Sequence, residues 1–155
     1  MWLTRRDCAA LALAVFALAG LAGPAPAEAP SAGRLGLAGF DPVSYFLPEG
    51  PRAGLPRYEL PGRGRTWRFA SAANRAAFAR DPDVYAPRLG GYDAAGILDG
   101  RLVDADPLVF AVIAGRLYLF RDAERRARVV ADPDLADRAE ALWPGLRRLT
   151  DGGPE

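Results

Sequence analysis

Two stretches of the chain alternate apolar and polar residues, and each runs into a segment with helical spacing. In "RYELPGRGRTWRF", Tyr58 and Leu60 alternate before the turn, and Trp67 and Phe69 after it. That pattern predicts a β-hairpin. Ser71 then stands where a helix N-cap is needed, and Ala73, Ala77 and Phe78 fit one helical face. Asp81-Pro82 ends the helix, because a residue before proline avoids the α region. A short helical turn holding Val84 and Tyr85 is expected next. The second stretch, "LVFAVIAGRLYLF" (108–120), is the strongest strand signal, and Ala114-Gly115 gives it a tight turn. Asp122 is the expected N-cap of a helix ending near Asp132-Pro133. Leu135, Ala139 and Leu142 mark a last helical face, which Pro144-Gly145 should stop.

The two stretches are related. Aligned without a gap, Gly64–Val84 and Gly115–Leu135 share nine of 21 residues, including Gly64/Gly115, Phe69/Phe120 and Asp81-Pro82-Asp83/Asp132-Pro133-Asp134. A hairpin followed by a helix is thus used twice. Two copies do not make a solenoid. They predict an α+β fold: a small antiparallel sheet from two β-hairpins, each followed by a helix.

The rest of the chain has other signals. "LAGFDPVSYF" (37–46) starts the expected folded part at residues 37–149, with a turn at Asp41-Pro42 and Val43, Tyr45 and Phe46 turned to the core. Residues 47–56 and the Gly/Asp-rich 88–107 read as loops. Residues 1–27 have the layout of an export signal: Arg5 and Arg6, an uncharged run over 9–22, and Ala25-Pro26-Ala27 as cleavage site. The run is shorter than the roughly 20 apolar residues of a membrane span. "TRRDCAA" is also similar to a twin-arginine signal. The expected organisation is a signal at 1–27, a tether at 28–36, the domain, and a disordered tail at 150–155. It implies a periplasmic or secreted protein that meets the membrane only through the signal.

Composition narrows the chemistry. Net charge is +1, every basic residue is Arg, and there is no His; the single Cys and single Met are Cys8 and Met1. A near-neutral chain lacks the electrostatic footprint of a nucleic-acid binder. Cleaved after Ala27, the chain has no Cys, His, Met or Lys, so it forms no disulfide. A soft-metal site lacks its thiolate and imidazole donors, and nucleophilic catalysis lacks a Cys nucleophile or His base. No phosphate-binding or dinucleotide-binding glycine motif occurs, and no cofactor is called for.

At "GFDPVSYF", "TWRFASAANRAAFARDPDVYAPRLGGYDA", "GRLYLF" and "LWPGL" the chain resembles the exported single-domain YHS proteins of bacteria, over about Gly39 to Leu146. The best-matched residues are Trp67, Phe69, Ser71, Phe78, Pro82 and Tyr85. The resemblance implies a metal-binding scaffold whose cysteine positions are here Ser44, Ala70, Asn74 and Asp93, so each matched soft-ligand position has lost its thiol. It also implies that the two motifs "GFDPVSY" and "GGYDA" carry the functional positions. The expected site is therefore a pocket between Asp41/Tyr45 and Tyr92/Asp93.

Three functions compete. The first is a non-catalytic binding or accessory module for a small ligand or a periplasmic protein. The second is a hard-metal or small-ligand sensor, with Asp93 as a weak metal candidate and Asp41, Asp99, Asp104 and Asp106 as neighbouring carboxylates. The third is a carboxylate-only hydrolase using Asp41 and Asp93. Trp67, Phe69, Phe78, Tyr85 and Tyr92 read as core aromatics, and Trp143 as the closure of one end.

Overall fold

The computed structural model describes residues 34–151. The signal at 1–27, most of the tether and the end of the tail lie outside the described residues. The fold is α+β. Strands β1 (Leu55–Gly62) and β2 (Arg65–Phe69) form the first hairpin, followed by α1 (Ala72–Arg80) and the single turn α2 (Pro82–Tyr85). A short helix α3 (Ala94–Leu98) precedes the second hairpin, β3 (Asp106–Ile113) and β4 (Arg116–Phe120). Helices α4 (Ala123–Ala131) and α5 (Asp134–Asp151) complete it.

Local chemistry accounts for most boundaries. Ser71 Oγ accepts the N–H of Asn74 at 3.1 Å, and Asp122 Oδ1 accepts that of Arg125 at 2.9 Å, so both expected N-caps are in place. Asp81 and Asp132 end α1 and α4, each just before its proline.

The hairpins do not share a sheet. Each forms its own two-stranded antiparallel sheet, and both have a register shift at the same point, Leu55/Glu59 in one and Asp106/Phe110 in the other. The two are joined by packing through β4, of which Leu117, Tyr118, Leu119 and Phe120 are all buried. Leu117 and Leu119 point into the first core, with Leu37, Val43, Trp67, Phe69 and Phe78. Tyr118 and Phe120 point into the second, with Ile97, Val129, Ala136 and Ala139. Tyr45 bridges the units: its ring stands edge-on to Phe110 at 5.0 Å and its hydroxyl donates to the Pro107 carbonyl at 3.0 Å.

Four expectations change. Residues 94–98, read as loop, form α3; five residues including Gly96 carry too little periodicity to announce a helix. Helix α5 continues past Pro144 to Asp151. Trp143 just before the proline and Leu146 just after it both pack on the second core, which offsets the missing N–H. Leu142 is 47% exposed, and the inward face is Leu135, Ala136, Ala139, Trp143 and Leu146. Arg34–Gly36, assigned to the tether, belong to the fold: Leu35 bridges Thr66, and Gly36 opens a 3₁₀ turn.

Candidate functional site

The motif "GFDPVSY" builds a closed node around Asp41. Its carboxylate is fully buried. Oδ1 accepts the N–H of Val43 at 2.9 Å; Oδ2 accepts the N–H of Ala70 at 2.9 Å and the side-chain amide of Asn74 at 2.6 Å. Ser44 Oγ donates to the Asp41 carbonyl at 2.6 Å and accepts the N–H of Arg52 at 2.9 Å. Positions 44, 70 and 74, which the resemblance pairs with cysteines, therefore meet at this one residue, Ser44 at its backbone carbonyl and Ala70 and Asn74 at its carboxylate.

"GGYDA" builds the same node again. Asp93 is also fully buried. It caps α3 by accepting the N–H groups of Ala95 at 3.3 Å and Gly96 at 3.0 Å, and Arg125 Nη1 donates to its Oδ2 at 2.6 Å. Asn74 and Arg125 are 51 positions apart, the spacing of the repeat, so equivalent residues close the two nodes. The turn before each Asp repeats too. Leu37-Ala38-Gly39-Phe40-Asp41 corresponds to Leu89-Gly90-Gly91-Tyr92-Asp93, and Phe40 and Tyr92 donate their N–H groups back to Leu37 and Leu89. Leu37 and Leu89 both have left-handed φ, 52° and 55°, as do Gly39 and Gly91 at 91° and 80°. The duplication thus covers almost the whole domain. Alignment of the hairpins alone misses it because the spacing is 52 at the turn and 51 in the hairpin.

Of the four candidate ligand-binding residues, Asp41, Tyr45 and Asp93 are buried and hydrogen-bonded inside the fold, and only Tyr92 lines a cleft. The physical reason is the duplication: the two motifs are the nodes of separate units, so they do not face each other across one pocket. Asp41 and Asp93 accordingly have separate partners, with no shared hydrolytic geometry. The hard-cation residues also disperse. Asp99 pairs with Arg128 at 3.3 Å, Asp106 accepts the N–H of Leu108 at 2.8 Å, and Asp104 lies in the cleft. Among the described residues no three acidic, His or Cys side chains gather to hold a metal ion.

The cleft lies on the seam of the two units and measures about 490 Å³. Leu37 and Ala38 of the first turn line it, with Gly90, Gly91 and Tyr92 of the second. Leu35, Leu119, Pro87, Ala105 and Pro107 give it apolar walls, and Arg34, Arg65 and Asp104 bring charge. Arg65 Nη2 donates to the Gly90 carbonyl at 2.9 Å. Among the described residues, Arg34 and Asp104 have no side-chain hydrogen bond or ion pair. Sequence reading passed over Arg34 and Arg65 as binding residues, since nothing local distinguishes them from other surface charges, and weighed Asp104 only as a carboxylate for a hard cation.

A second polar cluster clasps α5 to β4. Glu140 accepts from Arg88 through both oxygens, from Tyr118 Oη at 2.6 Å and from Arg116 Nη1 at 3.3 Å. The Arg88 hydrogen bond, opposed by burial and helped by the Tyr118 hydroxyl, holds the Glu140 carboxyl below its ordinary range. Burial pushes the Tyr118 phenol well above the usual tyrosine range, and its hydrogen bond to Glu140 pushes it further.

No protein-family model matches the chain, and neither does any curated protein or solved structure at significant similarity.

Proposed function

We propose that this chain is an exported, non-catalytic binding or accessory module on a duplicated YHS-like scaffold, taking its ligand at the seam of the two units. The observation that carries the reading is the cleft of about 490 Å³ lined by both Leu-x-Gly-aromatic turns. That volume is in the range of small-molecule sites, about 300–1,000 Å³, and apolar walls with a few polar groups are the usual lining of such sites. The nodes support the non-metal part. Their carboxylates are already satisfied by backbone N–H groups and by Asn74 or Arg125. A cation at Asp93 would have to displace a 2.6 Å ion pair with Arg125. Cys8 is the only thiol and the chain has no His, which argues against covalent catalysis.

The test is an amide-resolved NMR screen of the full chain with a panel of neutral, anionic and cationic small molecules, and with Ca²⁺, Mn²⁺ and Zn²⁺. The reading expects saturable shifts at Gly91, Tyr92 and Ala105 for part of the small-molecule panel. Metal-dependent shifts centred on Asp93 and abolished in Asp93→Ala would instead support the sensor.

A further inference from the structure

The duplication supplies an internal comparison for Arg65. Its counterpart 51 positions on is Arg116, whose guanidinium pairs with Asp137 at 2.6 Å and Glu140 at 3.3 Å. Both carboxylates come from α5, an 18-residue helix; the first unit has only the single turn of α2 at that place. Arg65 holds one neutral acceptor, the Gly90 carbonyl, and no carboxylate among the described residues. The same side chain in the same repeat position therefore has its counter-charge in one unit and lacks it in the other. Arg65 and Arg34 line the cleft together, with Asp104 the one acidic residue there. Two guanidiniums against one carboxylate leave one net positive charge.

We propose that the cleft takes a small monocarboxylate with an apolar body, its carboxylate on Arg34 and Arg65 and its body against Leu37, Leu119 and Tyr92. The inference rests on the cleft being the binding site proposed above. The guanidinium fork matches a carboxylate in shape and pairs with it by charge-assisted hydrogen bonds. One monoanion brings the cleft to neutrality. A dicarboxylate or phosphate dianion would leave excess negative charge beside Asp104.

The test titrates the isotope-labelled full chain with 3-phenylpropionate and, in parallel, with phenethylamine, which has the same aromatic body and the opposite charge. 3-Phenylpropionate should shift the amides of Leu37, Gly91, Tyr92 and Ala105 saturably, and phenethylamine should bind at least about tenfold more weakly. Arg65→Gln and Arg34→Gln should each weaken 3-phenylpropionate by about tenfold or more, and Arg116→Gln should leave it within about twofold. A melt by circular dichroism on each sample shows that the variant is folded, and the two cleft variants are independent of each other. Equal binding of the acid and the amine, or wild-type affinity in folded Arg65→Gln and Arg34→Gln, overturns the carboxylate assignment and leaves the cleft as a binding site for something else. If no panel member of any charge shifts these amides, the cleft reading fails and takes this inference with it.

Discussion

Removing the Asp41 carboxylate tests whether the node holds the first unit together. Asp41→Ala deletes an acceptor for three donors: the N–H groups of Val43 and Ala70 and the amide of Asn74. A hydrogen bond to a charged group contributes about 1.5–3 kcal/mol, and a buried donor left unsatisfied costs about 1–3 kcal/mol. Ala70 and Asn74 are half-buried, so water can partly replace the carboxylate there, whereas Val43 is buried. The expected net loss is about 3 kcal/mol. At a urea slope of about 1.5 kcal/mol/M, the unfolding midpoint falls by about 2 M. Asn74→Ala alone should lose about 1.5 kcal/mol. The double variant should fall short of the sum by about 1 kcal/mol, because both changes break the same 2.6 Å bond. The assay is urea unfolding followed by tryptophan fluorescence, with buried Trp67 against Phe78 as reporter. An Asp41→Ala midpoint within about 0.3 M of wild type at the same slope, or strict additivity with Asn74→Ala, would refute the reasoning.

Other consequences follow from the same contacts. Because Arg125 occupies the position of Asn74, Arg125→Asn should keep a higher urea midpoint than Arg125→Ala; the reverse order would break the equivalence of the nodes. Gly54→Ala should destabilise by about 1–3 kcal/mol, since its Cβ would stand 2.4 Å from Arg68 Cβ and 2.5 Å from the Arg68 carbonyl carbon. Gly62→Ala, which meets open space, is the control. The Glu140 cluster predicts a pH dependence. Its carboxyl is held below 4.5 in the folded chain, so its stabilisation is fully present above that value and is lost as pH falls through the lower folded value. Stability measured from pH 6 downward should therefore fall less steeply in Glu140→Gln around and below about pH 4.5; parallel curves would contradict the assignment.

Features set by neighbouring residues were legible in the sequence. Ser71, Asp122 and the two Asp-Pro pairs act through their own backbone surroundings, so caps, hairpin turns and helix ends could be placed. Features set by packing were not. "RLYLF" reads as a strand, but its burial on both faces depends on the first unit packing behind Leu117 and Leu119. Helix α5 survives Pro144 because Trp143 and Leu146 find the second core. Asp41 and Asp93 were singled out on a resemblance and proved to be equivalent nodes, which their shared Leu-x-Gly-aromatic-Asp context could have signalled. Arg34 and Arg65 became visible only when the seam brought them into one cleft with Asp104, which the sequence offered only as a hard-cation carboxylate.

The most direct measurement is the amide spectrum of the full chain titrated with 3-phenylpropionate and, separately, with Zn²⁺ and Ca²⁺. The account predicts saturable shifts at Gly91, Tyr92 and Ala105 with the carboxylate, and unmoved Val43, Ala70, Ala95 and Gly96 amides with either metal. Shifts at the nodes with a metal, and none in the cleft with the carboxylate, would contradict it.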